Sequence, residues 1–276
     1  MFKFFNLLVF LLCISCATKR EIAVTIDDLP VIGSWQKSKE EQHEIFYKTL
    51  NHFSSYDVAA TGFVVGANIQ KHHYSYLDDF VQKGNFIDNH TFTHKNLALV
   101  TAQEYIKDIK QGERAIEKWQ KPSKFFRYPY LARGDSAEKR KIVERNLTEN
   151  NYIIAPVTID SNDWHFNSLY EKAVANKDKK LMQKIGDDYI NYIKNQTYQA
   201  IKMTEMTNDK PVKHILLLHM NRINADYLGE VLEWYKSKNW HFISLKNAMT
   251  DPYFKQKENY IGSAGKTFPY MLLESK

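Results

Sequence analysis

Seven short apolar runs, spaced by longer amphipathic stretches, constrain this chain more than any other feature. Residues 21–26 (EIAVTI), 59–65, 85–88, 124–127, 152–158, 214–218 and 241–245 read as strands. Helical patterns occupy 39–53, 74–83, 101–119, 136–150 and 225–237, and two more fill 168–206. Thr101 and Glu104 have the spacing of a capping box. Apolar strands separated by helices belong to a parallel sheet, because parallel neighbours can be joined only by a long crossover. Seven of them fit a (β/α) barrel of parallel strands better than an open sheet, which would leave edges. The fold class is therefore α/β, with 168–206 as a helical insertion packed on one side. With 276 residues, 43% apolar and 14% aromatic, the chain can bury a core of this kind.

Both cysteines, Cys13 and Cys16, fall in the first 16 residues. The rest of the chain can form no internal disulfide and offers no thiolate, so a metal there would need His, Asp or Glu. The start itself has the form of a secretory leader: Lys3, then an apolar stretch from Phe4 to Ile14 broken only by Asn6. That stretch is too short to span a bilayer, which takes about 20 apolar residues. Ser15-Cys16 after Leu12 resembles the processing site of a bacterial lipoprotein, in which the cysteine is lipidated; Cys13 stands where such sites usually carry Leu. The plainer alternative is an ordinary cleaved signal peptide. Lys3 is the only charged residue in the leader, so its removal lowers the net charge from +6 only to +5. The basic excess suits an anionic envelope polymer or surface. Nucleic acid is a poor partner, since the only basic block is Lys139-Arg140-Lys141.

Polar residues gather where the predicted strands end, the place at which barrels of this type carry function. The first strand runs into Asp27 and Asp28, the third reaches Asp88, His90 and His94, and the fourth gives Arg127-Tyr-Pro-Tyr130. The fifth leads to Asp160, Asp163 and Trp164, and the sixth ends in His219. Two adjacent carboxylates repel each other and call for a cation, unless they are a solvated loop start that caps a helix. The i, i+4 spacing of His90 and His94 can turn two imidazoles to one side of a helical turn. With one carboxylate they make an open His₂Asp metal site; without it they are two hydrogen-bonded histidines. The remaining histidines lack ligand spacing, and His72-His73 reads as an exposed loop pair. Arg127 can clamp a carboxylate. Pro129 fixes a turn that can aim the Tyr130 N–H at a ligand. Trp164, between Asp163 and His165, reads as a cleft wall.

In this order, TIDDLP, HTFTH, RYPY, DSNDW and LLLH resemble the five motifs of the polysaccharide deacetylases, carbohydrate esterase family 4, over about Glu21 to Leu245. The resemblance implies a distorted (β/α) barrel and metal-dependent hydrolysis of N-acetyl groups on an N-acetylglucosamine polysaccharide, giving acetate and a free amine. It implies that Asp28, His90 and His94 bind a divalent metal, usually Zn²⁺ and sometimes Co²⁺ or Ni²⁺. Asp27 would be the general base, oriented by Arg127, and His219 the general acid. Asp163 would tune either Arg127 or His219. The Tyr130 N–H would hold the oxyanion, and Trp164 and Leu217 would wall the acetyl pocket.

The sequence departs from the family pattern in three places. Leu29 stands where Gly is usual, Met220 where Asp often follows the last motif, and Gly62 where a larger residue is common. The expected organisation is a leader with a lipidated Cys16 (1–16), a deacetylase domain (17–250) and a tail (251–276) that is either flexible or wraps the barrel through Phe268 and Tyr270. Export favours peptidoglycan as substrate, ahead of exopolysaccharide or chitin oligomers, with the protein held to the membrane by its lipid. The competing readings are a non-catalytic sugar-binding envelope lipoprotein, and an O-acetyl esterase or other amidohydrolase on the same barrel.

Overall fold

The computed structural model describes residues 19–122 and 124–275. The leader and Cys16 lie outside the described residues. The strands are β1 (Arg20–Leu29), β2 (Thr61–Val64), β3 (Phe86–Asn89), β4 (Lys124–Phe126), β5 (Tyr152–Ile154), β6 (Ile159–Asp160), β7 (His214–His219) and β8 (Trp240–Ile243). All pair in parallel, in the order β5-β4-β3-β2-β1-β7-β6. β7 covers one edge of β1. The other edge is shared: β8 takes Arg20 to Ala23, and β2 takes Thr25 to Leu29.

This is the expected distorted barrel, with one correction to its strands. The run 152–158 is two strands, not one. β5 pairs with β4 and β6 with β7, at opposite ends of the sheet. The four residues between them cross the seam. The Ala155 N–H donates to Phe126 O at 2.8 Å on one side, and the Thr158 N–H to Ile215 O at 3.0 Å on the other. Pro156, which has no N–H to give a ladder, sits between them.

The helices α1 (Lys39–Ser55), α2 (His73–Gln82), α3 (Ala102–Ile116), α4 (Ala137–Glu149), α5 (Asp163–Ala175), α6 (Lys179–Glu205) and α7 (Arg222–Ser237) surround the sheet. Strand alternation sets the two cores. Ile22, Val24 and Ile26 of β1 face the helices and join Phe46, Leu50, Phe80, Tyr189 and Leu228. Ala23 faces inward with Phe63, Phe125 and Ile215, and the short α8 (Leu245–Ala248) closes this interior with Leu245 and Ala248. The insertion begins at Asp163 rather than 168, so α5 starts at the mouth of the barrel and α6 stacks on α5 and α7. In the tail, α9 (Phe268–Glu274) buries Phe268, Met271 and Leu272 with Val212 and Tyr253, while Tyr270 stays exposed. The Phe268 N–H donates to Val157 O at 2.7 Å, in the strand seam. No helix among the described residues is long and apolar enough to cross a membrane.

His72 and His73 are not an exposed pair. His73 is buried at the start of α2, and both imidazoles lie on Gln42 Oε1, at 2.8 and 2.6 Å. The Gln42 amide in turn donates to Ser34 O and Lys37 O, fixing the loop after β1.

Two departures from the family pattern explain each other. Leu29 is fully buried at the end of β1, beside Gly62 of β2. A Cβ on residue 62 would lie 2.6 Å from Leu29 Cδ2 and 3.1 Å from Phe80 Cε1. The leucine therefore occupies the room a larger residue 62 would need. Gly62→Ala should cost about 1–3 kcal/mol by overpacking, and Leu29→Ala about 2–5 kcal/mol by leaving a cavity. In urea unfolding the double variant should fall short of the sum by about 0.5 kcal/mol or more. Strict additivity would show that the two positions are independent.

Candidate active site

Adjacent residues of a regular strand point to opposite faces, yet Asp27 and Asp28 both line one cavity. A bulge explains this. Between Ile26 and Leu29 the register with β2 slips by one residue, and Asp28 takes a left-handed conformation, φ 61°. Asp27 keeps the inward course of Ala23 and Thr25, and Asp28 is turned in beside it. The cavity, of about 640 Å³, opens at the C-terminal ends of the strands.

His90 and His94 meet Asp28 there. Ligand atoms of the three residues lie within 4.8 Å of one another. Asp28 Oδ1 is 3.2 Å from His94 Nε2 and 3.7 Å from His90 Nε2. The histidines are joined by a loop, not a helical turn. Thr91 and His94 are left-handed, and the buried Asp108 of α3 accepts from the Phe92 and Thr93 N–H groups and the Thr93 hydroxyl. His90 Nδ1 lies 2.8 Å from Arg127 O and donates to it, which leaves the Nε2 lone pair facing Asp28. Burial, then the neighbouring His94, holds the His90 pKa well below its usual value. His94 is also lowered, chiefly by burial. Two neutral imidazoles therefore face a buried carboxylate oxygen, Asp28 Oδ1, that has no hydrogen-bond partner. This donor set fits a divalent cation.

Asp27 belongs to a second group. Its Oδ2 lies 3.5 Å from Arg127 Nη1 and 3.7 Å from His90 Nε2. Burial pushes its pKa up to about 6, against the opposing pull of Arg127 and His219. Arg127 is buried too: Nη2 donates to Thr25 Oγ1 at 3.1 Å, and the guanidinium stacks 4.7 Å over the Phe63 ring.

His219, at the end of β7, faces the pair from across the cavity. Its partner is Asp163, which resolves the alternative left by the sequence. Nδ1 donates to Asp163 Oδ1, and the His219 N–H to Oδ2, both at 2.6 Å. Nε2 is thereby left toward the cavity. Burial alone would lower the His219 pKa; the charge and hydrogen bond of Asp163, then Asp28 and Asp27, push it up to about 10. Asn221 and Asn224, at the start of α7, also donate to Asp163. Sequence reasoning missed both, although Asn221 is the N-cap of α7. Met220 is fully buried in the main core, and its N–H donates to Asp27 O at 3.2 Å.

Tyr130 follows Pro129 in a left-handed turn, φ 58° and ψ 14°, with its ring 4.6 Å from that of His94. Leu217 lies on the floor, and Trp164, in the first turn of α5, stands half exposed on the rim. Asp160, for which the sequence reading had no role, also lines the cavity. Asp88 does not. Its carboxylate accepts from the Phe125 N–H and the Gln120 side chain, and burial pushes its pKa up to about 8. Residues 263–265 of the tail complete one wall, with no motif in the sequence to announce them.

Residues 15–147 match the model of the polysaccharide deacetylase family. The match takes in just under half of the chain. Two peptidoglycan-N-acetylglucosamine deacetylases of Bacillus cereus are similar to it. One is 31% identical over 53% of this chain and 47% of its own length, the other 28% identical over 46% and 45%. The chain thus spans about half the length of the curated relatives it matches. Among solved structures, a peptidoglycan N-acetylglucosamine deacetylase superposes with a TM-score of 0.58 at 23% identity, covering 84% of this chain and 88% of that one. A CE4 family pseudoenzyme from Bacillus anthracis gives the same TM-score at 17% identity, covering 84% and 66%. The backbone alone therefore does not separate an enzyme from an inactive relative; the side chains in the cavity must.

With a chelator present, the His219 imidazole should remain protonated up to about pH 10. Asp163→Asn should lower that midpoint by about one unit or more, read by NMR titration of the ring. An unchanged midpoint would assign the shift to another group.

Proposed function

We propose that this protein is a metal-dependent deacetylase that removes N-acetyl groups from an N-acetylglucosamine polysaccharide, with peptidoglycan the favoured substrate. The observation that carries the reading is the unpartnered Asp28 oxygen facing two neutral imidazoles, between an Asp–Arg pair and a His–Asp pair. A silent relative needs none of these pairs, and here every member is present. The names of the Bacillus cereus relatives support the choice of peptidoglycan.

In this reading Asp28, His90 and His94 hold the cation, and Zn²⁺ suits their two nitrogens and one oxygen. Once bound, the cation supplies Lewis acidity toward the acetyl oxygen and lowers the pKa of water. Asp27, ionised above about 6, takes a proton from the attacking water, and Arg127 keeps it oriented and charged. The Tyr130 N–H donates to the oxygen that gains negative charge as the carbonyl is attacked. His219 gives its Nε2 proton to the sugar nitrogen as the C–N bond breaks, because an amide anion is a poor leaving group. Asp163 stabilises the imidazolium through Nδ1. Leu217 and Trp164 enclose the acetyl methyl. Acetate and a free amino sugar are the products.

Purified protein loaded with Zn²⁺ should release acetate from peptidoglycan or N-acetylglucosamine oligomers. Asp27→Asn should abolish turnover and keep the metal. His94→Ala should lose most of the metal, measured by elemental analysis. Undiminished metal in His94→Ala would refute the ligand set, and glycan binding without acetate release would favour the sugar-binding reading.

We also propose an envelope location, with Cys16 lipidated and the protein tethered to the membrane by that lipid. Cells fed labelled palmitate should label the wild type and not Cys16→Ala. Normal processing of Cys16→Ala would favour an ordinary signal peptide.

A further inference from the structure

The tail is held to the barrel mouth by contacts that the chemistry above does not use. The Glu258 carboxylate is buried in ion pairs with Arg133 and Arg140. Arg140 also donates to Tyr260 O at 3.1 Å. Further on, the Gly262 N–H reaches Gly134 O at 3.3 Å, Asn96 Nδ2 donates to Ser263 O at 3.1 Å, and the Gly265 N–H donates to Tyr130 O at 3.2 Å. Phe268 then anchors the far end in the seam. Between these anchors, Ser263 and Ala264 are exposed and line the cavity.

Gly265 lies where no side chain fits. A Cβ there would stand 2.2 Å from Leu131 C and 2.3 Å from Tyr130 O. These are backbone atoms of two consecutive left-handed residues, Tyr130 (φ 58°) and Leu131 (φ 53°). Non-glycine residues keep such a conformation only when their surroundings hold it. Here the surroundings include the tail, which takes the Tyr130 carbonyl and packs directly on the turn.

We propose that residues 263–265 are a specificity-determining wall of the glycan cleft, and that Gly265 is a positioning residue for the Tyr130 turn. The wall closes the cleft on the Asn96 and Tyr130 side. Its small residues leave room there for a sugar ring, and the Ser263 hydroxyl meets a hydroxyl of that ring while bonds to Asn96, Tyr260 and Tyr130 hold the wall's backbone in place. The turn part of this inference rests on the deacetylase reading, since it concerns the N–H assigned to the oxyanion. The wall part needs only that the cavity binds N-acetylglucosamine units.

The test uses the whole zinc-loaded protein, N-acetylglucosamine tetramer and peptidoglycan. Ala264→Phe adds bulk at an exposed position and should fold normally. It should raise KM and the calorimetric Kd for the tetramer about tenfold, with kcat and metal content held. Gly265→Ala should lower kcat about tenfold or more with metal content retained, because small misplacements of reacting groups have effects of that size. Unchanged KM and Kd in Ala264→Phe would overturn the wall. A lower Tm with unchanged kcat in Gly265→Ala would reduce Gly265 to a purely structural part. If the wild type releases no acetate from any glycan, the deacetylase reading fails by itself, and the tetramer Kd of Ala264→Phe still decides the wall.

Discussion

One buried cation, Arg127, ties together the side chains of the cavity. Its guanidinium faces Asp27, donates to Thr25 and lies over Phe63, and its carbonyl fixes the His90 ring. A single residue at the end of β4 thus sets both the charge of the carboxylate proposed as base and the orientation of a proposed metal ligand. Breaking such a buried pair strands a charge, at a general cost of about 3–5 kcal/mol. The neighbouring Asp28 has no Arg or Lys paired with it among the described side chains, and this asymmetry separates the two carboxylates. Asp27 has the Arg127 charge beside it, and Asp28, which has none, is the carboxylate proposed to hold the cation.

Around that centre the barrel is closed in unequal ways. β1 is the hub, with β7 along Ile22 to Asp27 of one edge and two partners sharing the other. Opposite it, between β5 and β6, the ladder is replaced by four residues of crossing chain. The tail docks at this weak side, bonding to Val157 and burying Phe268. The same segment then reaches the mouth, so the element that seals the seam also shapes the entrance.

Much of this was legible in the sequence. The apolar runs located the strands because a barrel strand is buried on both faces, by helices outside and by the packed interior inside, although one run held two strands. The five motifs were readable because they sit at strand ends, where backbone geometry leaves little freedom in spacing. What stayed hidden depended on contacts between distant segments. The choice of His219 over Arg127 as partner of Asp163 turns on how β7 and the start of α5 lie side by side. The loop that joins His90 to His94 owes its form to Asp108, and the burial of His73 to Gln42, both on other elements. The split at Pro156 and the N-cap Asn221 were hidden features with a local signal.

Leu29 and Gly62 carry a historical consequence. In a chain with glycine in the first motif and a bulky residue opposite, the leucine could not come first without a clash. The passable route runs through a form with glycine at both positions, underpacked but foldable, from which either arrangement can be refilled. Once the leucine is in place, the return path is barred by packing rather than by chemistry. The two positions then change together or pay in packing, by overlap in one order and by a void in the other.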